Sequence, residues 1–197
     1  MNSVAITLRR DIITDRDEVR DALEATWWRV FDRLGHRPVL IPNHAGLARD
    51  IVAEYQPSAV LLTGGGTPIP GSGNVRDEVE SMLLNYAGRH DLPLLGVCRG
   101  MQSIALSFGG ALSTTNGHVR RLEMLQTRYG EHRALCFHEQ GLRRPPRGFR
   151  VIARSVDGTI EAIEHENRPI RAIMWHPERN TDLGEADIAL LADSLMY

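Results

Sequence analysis

Two of the 197 residues are cysteine, Cys98 and Cys136. Neither stands at a metal-ligand spacing, and two thiols make no disulfide scaffold, so reduced thiols are expected, with no metal and no cofactor. Long hydrophobic runs are missing too. No stretch approaches the length needed to span a bilayer, and the apolar part of MNSVAITLRRD is too short for a signal peptide, its basic residues following rather than preceding it. A cytoplasmic chain with no membrane partner is expected. An excess of one charge is also lacking: 23 basic against 25 acidic side chains leave a formal net charge of -2, which gives no general attraction to nucleic acid. Partners must therefore be argued from sites. Repeats, low-complexity tracts and linkers are absent as well, and the length suits one buried core, so a single domain over 1–197 is expected. Homo-oligomerisation stays open.

What is present is an alternation of apolar and amphipathic segments. SVAITL (3–8), RPVLIP (37–42), SAVLLTGGG (58–66) and LPLLGV (92–97) read as buried strands. Between them, 15–35 reads as a helix with Val19, Leu23, Trp27, Val30, Phe31 and Leu34 on one face and Gly35 as stop; HAGLARDIVAEY, 74–90 and 99–110 read as further helices. Such a rhythm predicts a three-layer α/β fold, a mostly parallel central sheet with helices on both faces. Beyond residue 113 the pattern shortens to ALCF, FRVIARS, GTIEAIEH and RPIRAIMW, expected to extend the same sheet in partly antiparallel fashion before a closing helix, 183–197. Residues 113–133 read as a polar loop and RRPPRG (143–148) as an exposed one.

The stretch LLGVCRGMQSIA places Cys98 between an apolar strand and a helix, at the carboxyl edge where open α/β folds bind ligands. The helix N-terminus favours a thiolate there, and Gly96 and Gly100 permit a nucleophile elbow; a small buried core residue is the alternative. A nucleophile needs a base and the base an orienting group. AIMWHPERN delivers both: an apolar strand ends at His176, Pro177 fixes the turn, and Glu178 follows two positions on. Of the other histidines, His36, His44, His90 and His165 read as solvated, and His118 and His132 are ambiguous. For an oxyanion hole, the N–H of Gly65 or Gly66 in LLTGGGTP can act with that of Arg99; a flexible turn is the alternative. No G-K-[ST] follows the glycines, so a phosphate loop fits poorly.

TGGG, GVCRGMQ and WHPE, in this order, resemble the class I glutamine amidotransferases and imply their flavodoxin-like core and a Cys98–His176–Glu178 triad that cleaves a γ-glutamyl amide. The resemblance also implies that Gln102 lines the pocket and that the backbone at Phe137 and His138 in ALCFHEQG holds the glutamyl α-carboxylate and amine. Cys136 then reads as structural. Arg99, where synthetase-coupled members carry a bulky apolar residue, together with RDEVE upstream, is similar to stand-alone γ-glutamyl hydrolases. ITLRR, RDALEATWW, VLIPN and IMWHPER resemble the γ-glutamyl-CDP-amidate hydrolases of capsule phosphoramidate biosynthesis. The expected partner is thus a small γ-glutamyl compound, with Arg9, Arg10, Arg99, Arg120 and Arg121 as candidate contacts to a diphosphate. A γ-glutamyl-γ-aminobutyrate-type hydrolase, a glutaminase subunit of a two-component amidotransferase and a non-enzymatic relative are the alternatives.

Overall fold

The computed structural model describes residues 2–69 and 71–196. Five parallel strands form its centre: β1 (Ser3–Thr7), β4 (Arg37–Ile41), β5 (Ala59–Leu62), β6 (Leu94–Val97) and β13 (Ile170–Ile173). They lie in the order β4-β1-β5-β6-β13, and β12 (Ile160–His165) and β11 (Phe149–Arg154) continue the sheet beyond β13 as antiparallel partners. Counting the parallel strands in chain order, this is 2-1-3-4-5, the doubly wound order of flavodoxin-like cores. The expected mostly parallel α/β sheet is present. β5 and β6, AVLL and LLGV, are buried at every position, as strands covered on both faces must be.

Alternation along the strands splits the core in two. Val4, Ile6, Leu61 and Leu95 face α1 (Trp27–Leu34) and α5 (Glu185–Leu195); Ala5, Val60, Leu62 and Leu94 face α2 (Ala45–Tyr55), α3 (Val75–His90) and α4 (Arg99–Ser107). Local signals set the helix ends. In α3 the Asn74 side chain caps Arg76 N–H at 3.0 Å, Asp77 and Glu78 occupy the first turn, and Arg89 and His90 the last, each sign matched to the helix dipole. None of the described helices is long and apolar enough to cross a membrane.

Three expectations are corrected. The helix over 15–35 begins at Trp27; before it, β2 (Arg9–Ile13) and β3 (Glu18–Ala22) form an antiparallel ribbon turning at Asp17, φ 48°. Val19 is half exposed on that ribbon rather than on a helix face. The stretch 113–133 is not a loop: it holds β7 (Ser113–Thr114), β8 (Val119–Thr127) and the start of β9 (Gly130–Phe137). Finally, ALCF lies in β9, which pairs with β8 in a separate hairpin rather than joining the main sheet, while β10 (Gln140–Gly141) pairs with β7. The closing helix ends at Leu195, and Tyr197 lies outside the described residues.

Candidate active site

Cys98 sits between β6 and α4 at φ 52°, ψ -103°, a region that costs a non-glycine residue roughly 1–3 kcal/mol. The surroundings enforce it. Cys98 N–H donates to Ile173 O at 2.8 Å, and Cys98 O accepts from Gln102 N–H at 3.1 Å. A Cβ on Gly100 would lie 2.2 Å from Leu62 O, and one on Gly96 would lie 2.6 Å from the Gly100 backbone. The two glycines therefore let α4 start in direct contact with the strands, which turns the thiol out at the carboxyl edge of the sheet.

His176 reaches the same edge from β13. Its N–H donates to Leu135 O at 3.0 Å, and Pro177–Arg179 then make one 3-10 turn that brings Glu178 back, its Oε1 lying 2.6 Å from His176 Nδ1. Both side chains are buried. Burial pulls the His176 pKa down, but the Glu178 carboxylate, which accepts from Nδ1–H, together with the neighbouring Cys98 outweighs it and raises it to about 9. An imidazolium beside Cys98 at neutral pH follows. The Phe137 ring stands edge-on to the imidazole at 5.8 Å, with the Arg179 guanidinium over its face at 4.6 Å. Gly64 completes the seat, since a Cβ there would lie 2.5 Å from His176 Cε1.

The glycine loop after β5 is held by Arg76, the first residue of the RDEVE stretch, to which the sequence assigned no role at the site. From α3, its buried guanidinium donates to the carbonyls of Thr63, Gly64 and Gly65, each at 2.9 Å, and to Glu80 at 2.8 Å. Glu80 also accepts from Arg99 Nε at 3.1 Å and Ser103 Oγ at 2.5 Å. Holding these three carbonyls fixes the loop, whose Gly65 and Gly66, at φ 98° and 74°, line the same cleft as Cys98. The Arg99 side chain is buried against Glu80 and Asp77, so it is unavailable to a diphosphate; only its backbone remains for the site.

A cleft of about 340 Å³ gathers Arg9, Gly65, Gly66, Cys98, Gln102, Phe137, His138, His176 and Arg179. Gln102 Nε2 donates to Gln140 O at 2.8 Å, leaving its Oε1 without a partner. The His138 side chain turns away from the cleft toward His118, ring centroids 4.7 Å apart. Cys136 is fully buried, and burial together with the neighbouring Glu161 carboxylate pushes its thiol far up, which excludes it as a second nucleophile. His36 is buried rather than solvated, and His132 is committed to Asp187 at 2.8 Å.

The family model for glutamine amidotransferase class-I matches residues 19–196. The chain belongs to this family. Among relatives of this chain is a glutamine-hydrolyzing GMP synthase component of Methanothrix thermoacetophila, 35% identical over 146 residues, covering 69% of this chain and 74% of that one. Another is the gamma-glutamyl-CDP-amidate hydrolase of Campylobacter jejuni, 28% identical over 194 residues and 94% of both chains. The crystal structure of a Thermoplasma acidophilum protein described as a GMP synthase component superposes with a TM-score of 0.72 at 21% identity, over 99% of this chain and 94% of that one, and supports the amidotransferase fold.

Proposed function

We propose that this amidotransferase-family chain is a cysteine hydrolase that cleaves the γ-glutamyl amide of a small molecule, working over 1–197 as one catalytic unit. The reading rests on one observation: Cys98, strained at φ 52°, shares a cleft with His176, whose Nδ1 is 2.6 Å from Glu178 Oε1. The Cys98 thiolate attacks the γ-carbonyl, and the N–H groups of Gly65 or Gly66 and of Arg99 hold the tetrahedral oxyanion. The C–N bond breaks as the His176 imidazolium protonates the leaving nitrogen, leaving a glutamyl thioester and a neutral imidazole. His176 then takes a proton from water, the hydroxide attacks the thioester, and glutamate leaves as thiolate and imidazolium are restored. Gln102 and the backbone at Phe137 and His138 hold the glutamyl end. A reducing compartment, the cytoplasm, keeps the nucleophile as a thiol.

For the leaving group, γ-glutamyl-CDP-amidate is favoured, giving glutamate and cytidine diphosphoramidate for capsule phosphoramidate synthesis. Support comes from the match to the Campylobacter jejuni hydrolase along 94% of both chains, and from Arg9 and Arg179 at the cleft, cations suited to a diphosphate. A second reading, a glutaminase component that passes ammonia to a separate synthetase, is favoured by the 35% identity to the Methanothrix thermoacetophila GMP synthase component. Glutamate release from glutamine, γ-glutamyl-γ-aminobutyrate and γ-glutamyl-CDP-amidate, with Cys98→Ala as control, separates them. The CDP compound should lead in kcat/KM by orders of magnitude. Preference for glutamine would favour the glutaminase reading, and a rate untouched by Cys98→Ala would remove the nucleophile.

A further inference from the structure

Behind the catalytic cleft, four chemistry-bearing side chains from three separate parts of the chain converge in a fully enclosed space. They are His118 before β8, Cys136 on β9, His138 just after it and Glu161 on β12, all buried, and one donor atom from each lies within 4.8 Å of the others. Their hydrogen bonding is lopsided. His118 Nε2–H donates to Asp157 Oδ2 at 3.3 Å, which leaves Nδ1 as its lone-pair nitrogen. On His138 the nitrogen held from outside is Nδ1, 3.4 Å from Thr115 Oγ1; with that hydroxyl donating to His138 O at 3.3 Å, Nδ1–H donates to Thr115 and Nε2 is left free to bind a metal. Both lone-pair nitrogens are aimed at the same carboxylate oxygen, Glu161 Oε1, at 3.3 and 3.4 Å. Neither nitrogen nor that oxygen has a hydrogen-bond partner. Cys136 Sγ faces the other oxygen, Oε2, at 3.5 Å.

Two imidazole nitrogens and a carboxylate oxygen, buried together and without hydrogen-bond partners, need a cation or a proton between them. We propose that His118, Cys136, His138 and Glu161 form a binding site for one divalent transition-metal ion of the zinc class. Two neutral imidazoles, one thiolate and one carboxylate neutralise such a cation, and softness and donor number suit tetrahedral zinc. Bonds of zinc to N, O and S imply donor-to-donor separations of about 3.3–3.7 Å; the two imidazole nitrogens lie 3.3 and 3.4 Å from Glu161 Oε1 and Cys136 Sγ 3.5 Å from Oε2, and the whole donor set lies within 4.8 Å, so a small contraction would close it on the ion. Asp157 and Thr115 occupy the outer position that orients each ligating imidazole. Binding releases the Cys136 proton to solvent. The ligands are spread over positions 118 to 161, so no sequence spacing announces them, and the expectation of a metal-free chain is set aside. The role is structural: the ion ties the β8–β9 hairpin to the main sheet and fixes the Phe137–Glu139 segment that walls the cleft.

The test uses the whole chain, stripped with chelator and titrated with zinc and, separately, with cobalt(II). About one equivalent of either should bind per chain, zinc should raise the melting temperature, and the cobalt form should show intense tetrahedral d–d bands with a thiolate charge-transfer band. Because the chain has two cysteines, a charge-transfer band that survives Cys98→Ala must arise from Cys136. Cys136→Ser should lose that band, and Glu161→Gln should weaken zinc at least ~10-fold. Binding of less than about a tenth of an equivalent at tens of micromolar zinc overturns the proposal. So does a weak octahedral spectrum, or a band that vanishes in Cys98→Ala, which would put the ion on Cys98 and His176. Should Cys136→Ser fail to fold, the wild-type and Cys98→Ala spectra decide alone.

Discussion

Replacing Glu178 by glutamine keeps an oxygen near His176 Nδ1 but removes the charge that lies 2.6 Å away. In the native protein that charge is the main influence raising His176 to about 9 from its ordinary 6.5, against the pull of burial. Taken as a free energy, the difference is ~3 kcal/mol. In Glu178→Gln burial persists while its largest counterweight is gone and only Cys98 still opposes it, so the imidazole should titrate well below its native value. The imidazolium protonates the leaving nitrogen, so the alkaline limb of kcat/KM should move down from near pH 9 by at least about one pH unit. Alkylation by iodoacetamide gives a readout free of any substrate: at pH 7 the Cys98 rate should drop at least ~10-fold, while buried Cys136 stays silent. The sign for stability follows as well. A raised folded pKa stabilises fully below pH 6.5 and is lost as pH climbs through 9, so wild type should lose stability over that interval and the variant should not. An alkaline limb left near pH 9 in Glu178→Gln would refute the reasoning.

Gly64→Ala should lower kcat by at least ~100-fold with little change in melting temperature, since its methyl would displace the His176 ring while that residue lies at the cleft edge; unchanged turnover would mean the ring has another productive position. Arg76→Lys keeps a cation for Glu80 but cannot hold three carbonyls at once, so kcat should fall at least ~10-fold more than KM changes, and the melting temperature by several degrees; a purely structural role would lower the melting temperature alone.

Much of this fold was legible because parallel strands buried on both faces leave no choice but continuous apolar runs, as in AVLL and LLGV. The candidate triad could be nominated for a related reason: Cys98 and His176 each follow such a run, and Glu178 is local to His176. The ribbon 9–22 was not, because it is an exposed edge with neither face buried. Ile12 and Val19 lie open to solvent, and Val19 and Leu23 happened to fit helical spacing with the true helix that follows. Its one usable signal was the polar TDRD turn. In β8 the alternation is present, with Glu123 and Leu125 turned inward, but the outward face made RRLEMLQT look like loop. RDEVE was noticed, but the grip of Arg76 on the glycine loop was not, because those carbonyls lie 11 to 13 residues back along the chain; the His118–Glu161 cluster escaped because its members come from three separate segments.

The place of β13 in the sheet also bears on how the chain is made. Its neighbours in the parallel core, β5 and β6, are complete by residue 97, yet the strand that covers the open side of β6 ends at residue 173. On a ribosome moving at about 5–20 residues per second, β6 would wait roughly 4–15 s as a bare apolar edge before its partner emerges. During that interval the nascent chain presents LLGV to any other strand nearby, the circumstance that invites edge-to-edge aggregation. The same delay means that Cys98 does not meet His176 until the last parallel strand of the sheet has been made.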